Sequence, residues 1–82
     1  MDSNGYNKSL FDTVDGQCYL TKRFTQTVRH EVFQGNPNRK FSKQEGLWIN
    51  VSPEAHEKWH NGDMETLKVR TQQKAEILWL IS

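Results

Sequence analysis

Ser52-Pro53-Glu54-Ala55-His56-Glu57-Lys58-Trp59-His60 is the stretch from which the rest of this chain is read. Serine is a favoured N-cap, proline fits the first helical position, and Glu54 places negative charge in the first turn, so a helix is predicted from Pro53. Asn61-Gly62 is a C-cap signature that ends it. His56 and His60 are four residues apart, on one face of that helix and about one turn from each other. Two imidazoles so placed suit a grip on one metal ion. The chain has one other histidine, His30, and one cysteine, Cys18. The reading that follows is that Cys18, His30, His56 and His60 meet at one zinc per chain, and that the protein folds around it.

Composition supports a staple of that kind. Eighty-two residues make a single domain, 1–82, because a second would lack enough core. Hydrophobic residues are 34% of the chain, low for a globular domain, yet three Trp, two Tyr and four Phe imply a packed centre. A chain this short often needs a disulfide, a metal or a partner subunit. One cysteine cannot form an intramolecular disulfide, which leaves metal or self-association. The formal net charge of +1 does not announce a nucleic-acid binder, although Arg39, Lys40 and Lys43 are clustered. No apolar run approaches the roughly 20 residues of a membrane helix. The polar N-terminus lacks the apolar core of a signal peptide. A cytoplasmic protein is expected, where a reducing medium keeps a lone thiol free for metal.

Working outward from the helix, Leu47-Trp48-Ile49-Asn50-Val51 reads as a strand. Residues 24–33 read as a second, antiparallel to it, since Thr25, Thr27, Val28, Val32 and Phe33 are strand-favouring types. Alternation puts Val28, His30 and Val32 on one face, so His30 points inward. Residues 34–46 read as a loop, punctuated by Gly35, Asn36, Pro37, Asn38 and Gly46 and carrying the basic cluster. Residues 1–14 form a polar arm with an Asn4-Gly5 turn and a short apolar stretch, Leu10, Phe11 and Val14, able to dock on the core. Asp15-Gly16 is a turn, and Cys18 sits beside it, ahead of the polar turn Thr21-Lys22-Arg23. The metal core thus spans 18–62. After it, Asp63 can cap a C-terminal helix over 64–80, with Leu67, Thr71, Ala75 and Leu78 as its apolar stripe. The tail Ile77-Leu78-Trp79-Leu80-Ile81 is apolar nearly all round. The fold class expected is α+β: an antiparallel hairpin, a short histidine-bearing helix and a C-terminal helix.

Strand, loop, strand and helix, with histidines on the first strand and the helix, resembles the ββα-metal, or HNH, nuclease finger over residues 18–60. The chain is similar to small HNH-like proteins of bacteriophages in Cys18-Tyr19-Leu20, Arg29-His30-Glu31-Val32-Phe33-Gln34-Gly35, Asn38-Arg39-Lys40, Ser42, Gly46-Leu47-Trp48 and Pro53-Glu54-Ala55-His56. The resemblance implies that His30, His56 and His60 are the metal ligands. In the nucleases a second histidine follows the strand ligand and acts as general base; here that position is Glu31. The motif's middle Asn would fall near Leu47, and Asn50 is out of register. Glutamate is ionised at neutral pH and is a poorer base than histidine. With Cys18 as a fourth ligand the site is closed, as in a structural zinc.

These departures imply a non-catalytic zinc protein that engages another macromolecule. The phage resemblance points to a host defence nuclease, with an anti-CRISPR action on a Cas9-type enzyme by blocking DNA or guide engagement. Asp63, Glu65, Glu54 and Glu57 would then imitate phosphates, and Trp59, expected to be partly exposed, would anchor the partner. The alternatives are an HNH-type endonuclease with Glu31 as base, and a zinc-stabilised DNA-binding module using Arg39 and Lys40. Plainer readings stand beside each: solvated helix histidines, a core His30, a buried hydrophobe at Cys18 and a solvated basic loop.

Overall fold

β-Branched residues on either side of the middle segment pair as expected. In the computed structural model, which describes residues 5–34 and 38–82, Val28–Glu31 (β1) and Trp48–Val51 (β2) form a two-stranded antiparallel sheet. Its register sets His30 opposite Ile49 and Glu31 opposite Trp48. β1 is shorter than the expected strand over 24–33. Phe24 is 85% exposed and joins only an isolated bridge to Gln17. The cause is local: the Cys18 amide donates to the Arg23 carbonyl, and the Lys22 amide to that of Cys18. With Lys22 at a positive φ of 64°, residues 17–24 close on themselves instead of extending the sheet.

The segment between the strands is not all loop. Asn38–Gln44 is a helix (α1), rich in the helix-favouring residues Arg39, Lys40, Lys43 and Gln44. Gly46, at φ 71°, ends it, and the Leu47 amide donates to the Ser42 carbonyl. That six-to-one bond with a left-handed glycine is a Schellman stop, with buried Leu47 as its apolar follower. Gly46 is therefore a helix terminator. Gly35, Asn36 and Pro37 lie outside the described residues, as do residues 1–4 of the arm with the Asn4 half of its turn.

The rest of the arm is tied down. The Leu10 amide donates to the Gly46 carbonyl, the Trp48 indole to the Asn7 carbonyl at 2.7 Å, and the Ser9 hydroxyl to the Trp48 carbonyl at 2.6 Å. Phe11 is buried, Leu10 half-buried and Val14 exposed, so the apolar stretch docks through its first two residues.

Pro53–Asn61 (α2) begins as the sequence requires: the Ser52 hydroxyl accepts from the Ala55 amide at 3.1 Å. It ends at Gly62, φ 81°, whose amide donates to Trp59 while that of Asp63 donates to Lys58. Asp63 belongs to this stop and does not cap the next helix. Glu65–Ile81 (α3) has Met64 at its N-cap, with no side-chain capping bond. Thr71 and Ala75 are buried and Leu78 is half-buried, but Leu67 is 39% exposed. Gln72 donates to the Val32 carbonyl and fastens α3 beside the end of β1. The architecture is a small α+β fold: a two-stranded antiparallel sheet, three helices with a long C-terminal one, and a cluster of His30, His56 and His60. No helix among the described residues is long and apolar enough to cross a membrane.

Candidate metal centre

β1 turns His30 fully inward, and α2 lays His56 and His60 over it. The three rings meet edge to face, with centroids 5.0 Å apart for His30 and His56, 5.6 Å for His30 and His60, and 4.6 Å for His56 and His60. One ring nitrogen from each lies within 4.8 Å of the others, and these residues could hold a metal ion together. Tetrahedral zinc with Zn–N bonds of about 2.05 Å needs ligand nitrogens roughly 3.4 Å apart, so a closure of no more than about 1.4 Å suffices.

The chemistry of His30 also fits an ion. Neither of its ring nitrogens has a hydrogen-bond partner among the described residues, although both are buried. Buried polar atoms are seldom left so, and a metal would satisfy one of these. Burial, and then the neighbouring His56 and His60, push the His30 pKa down to about 3. The ring is thus neutral at ordinary pH, with a lone pair to offer. His56 is half-buried and shifted down by burial and then by His60; His60 is exposed, so the cluster opens to solvent on its side.

Cys18 is not part of this group. It is fully buried, and its thiol meets Thr21 and Ser52, the residue that caps α2. Burial pushes the thiol up, but hydrogen bonds from those two residues outweigh it and bring the pKa down to about 7. The expected four-ligand set therefore has three members among the described residues. A tetrahedral ion held by three imidazoles keeps a position for water or an external ligand, which is the pattern of an exchangeable site.

Glu31 follows His30 but takes the other face of β1. It is 3% exposed, and one carboxylate oxygen accepts from Arg39 Nε at 2.9 Å and from the Tyr6 hydroxyl at 3.2 Å. Burial raises the carboxyl, but the Arg39 bond and charge and the Tyr6 bond hold it below the usual carboxylate range. The same contact, after burial, pushes Tyr6 up to about 12. Such a carboxylate is a weak proton acceptor near neutrality. Leu47, where the motif Asn would fall, is buried in the core.

Trp59 is placed differently from the expectation. It is 1% exposed, and its ring packs on His30 with centroids 4.4 Å apart. It is a wall of the histidine cluster, unavailable as an anchor. Asp63, Glu65, Glu54 and Glu57 are exposed, with Glu54 paired to Lys58 at 3.2 Å. Arg39 and Lys40 are exposed on α1, the first tied to Glu31. Sequence reading missed Tyr6 and Arg39 as partners of Glu31, and Thr21 and Ser52 as partners of Cys18. The Ser52 signal was visible only as a helix cap. Comparison with protein-family models, curated proteins and solved structures gives no match for this chain.

Proposed function

We propose that the three-histidine centre holds one zinc ion and that the protein is a metal-organised binding protein, not a hydrolase. The observation that carries this reading is the commitment of Glu31 to Arg39 and Tyr6. The residue that follows the strand histidine is bonded away as a carboxylate held below the usual range, which makes it a weak proton acceptor. The partner proposed is a host defence nuclease of the Cas9 type, as the resemblance to phage HNH-like proteins implies. Glu57 on α2, Asp63 in its C-terminal stop and Glu65 at the start of α3 support it as exposed acidic groups. Such charges suit a basic nucleic-acid groove. The test adds zinc-loaded protein to a Cas9-type cleavage reaction. Inhibition that is weakened by Asp63→Lys with Glu65→Lys supports the reading, and undiminished cleavage at excess protein ends it for that partner.

A second reading, a metal-dependent endonuclease, is favoured by the three-member ligand set. A bound ion there would supply Lewis-acid activation of a phosphate. Supercoiled plasmid incubated with the protein and Zn2+, Mn2+, Ni2+ or Mg2+ separates the two. Nicking that His56→Ala abolishes establishes the second reading and removes the first.

A further inference from the structure

α1 and α3 leave a gap between them. A cavity of about 250 Å³ opens there, lined by Phe33, Asn38, Phe41, Leu47, Glu76 and Trp79. Buried Leu47 comes from beside β2 and half-buried Phe33 from just beyond β1, while Phe41 belongs to α1. Glu76 and Trp79 stand one turn apart on the same face of α3. The aromatic residues are held. Trp79 Nε1 donates to Glu45 Oε1 at 3.1 Å, and the Phe41 ring meets the indole at 66° with centroids 5.7 Å apart. The Phe33 amide donates to the buried Ser42 hydroxyl, which donates in turn to the Phe33 carbonyl and ties that backbone to α1. Glu76 is the one charged residue of the lining, and its carboxylate enters no ion pair among the described residues.

We propose that this cavity binds a small organic cation bearing a methylated, quaternary ammonium group, of the size of choline. Charge complementarity selects that occupant. The faces of aromatic rings attract a cation within about 6 Å of their centroids, and a carboxylate on the same cavity adds to the attraction. An uncharged apolar occupant would take Glu76 out of water without a partner, which is unfavourable. A lysine or arginine side chain would bring several N–H donors to a lining whose side-chain acceptors are Glu76 and Asn38, and donors would be left unpaired. A quaternary ammonium has no donor to satisfy. The volume lies below the roughly 300–1,000 Å³ of pockets that take drug-sized ligands, so a small ion fits it better than a large one. The cavity shares no residue with the histidine cluster and does not depend on the metal reading.

Titration of the isotope-labelled full chain with choline chloride tests it, read from the indole N–H resonance of Trp79 at constant ionic strength. Choline should shift that resonance saturably, with a Kd of about 10 mM or tighter. The neutral carbon analogue of choline, in which a tert-butyl group replaces trimethylammonium, should bind about tenfold more weakly or worse, and so should ethanolamine, which carries N–H donors in place of the methyl groups. Glu76 is exposed, so Glu76→Gln keeps the fold, as unchanged circular dichroism would check, and should weaken choline binding by about fivefold or more. The absence of a saturable shift up to about 100 mM choline overturns the proposal. So does a neutral analogue or an ethanolamine that binds as tightly as choline, or a Glu76→Gln variant that binds choline unchanged.

Discussion

At the scale of single residues, His30 governs how the metal-free protein responds to acid. Its folded pKa of about 3 lies below the roughly 6.5 of an unfolded histidine. Between those values the unfolded chain binds the extra proton, so stability rises with pH through this window and is fully present above it. In chelator, the melting temperature should fall steadily as pH drops from about 6.5 toward 3; a flat profile would mean that the ring is not held neutral. Glu31 makes a second prediction. Arg39→Ala leaves a buried carboxylate with Tyr6 as its remaining side-chain donor and should cost about 1–2 kcal/mol in urea unfolding. Most of this should be recovered when Glu31→Gln is added. Ligand types and spacing made the three histidines legible in the sequence. The burial of Glu31 was not, because alternation reports only that it opposes His30. That its face is covered too depends on Tyr6 from the arm and Arg39 from α1, elements remote in sequence. Trp59 was misread for the same reason: helical spacing does not say how far around α2 the core extends.

At the scale of elements, the two glycine stops differ in what surrounds them. Gly46 and Gly62 both have φ above 70°, where any L side chain is strained by about 1–2 kcal/mol. A Cβ on Gly62 would meet nothing closer than the flexible end of Glu65 at 3.6 Å, whereas one on Gly46 would collide with the backbone carbonyl of Lys8. Gly62→Ala should therefore cost about 1 kcal/mol and Gly46→Ala more than about 2 kcal/mol in denaturant titration. Equal costs would mean that the arm is free to lift away. α2 was legible almost residue by residue, because Ser52, Pro53 and Gly62 each mark a boundary chemically. α1 was hidden, since Asn38 and Gly46 also serve as loop residues and seven positions are too few for a hydrophobic period to declare itself. β1 was overextended because strand propensity over 24–27 lost to the tight turn at Lys22.

At the scale of the whole molecule, the metal reading predicts one zinc per chain by elemental analysis of the wild-type protein and substantially less in His56→Ala. With free metal near a hundred times its dissociation constant, binding adds about 2.7 kcal/mol. Chelation should then lower the melting temperature by about 10–20 °C for a domain of this size. A metal-free protein with an unchanged melting temperature would remove the ion from the fold. The α+β class and the antiparallel pairing of the strands were readable from pattern alone. The tail at 77–81 was also readable as apolar nearly all round, and in the fold Leu78 is half-buried while Ile77, Leu80 and Ile81 are exposed; which residue faces which way was not, because a run of consecutive apolar residues carries no helical period.

The ligands also differ in how far apart they stand along the chain. His56 and His60 share one helical turn and can meet an ion on α2 by themselves, whereas His30 reaches it only once β1 is seated beneath that helix. For an ion held at this centre, an unfolded chain would thus keep a weak two-point hold and the folded chain would add one imidazole. The free energy by which such an ion would favour the native state is then the worth of that third bond, which would arrive only when strand and helix dock.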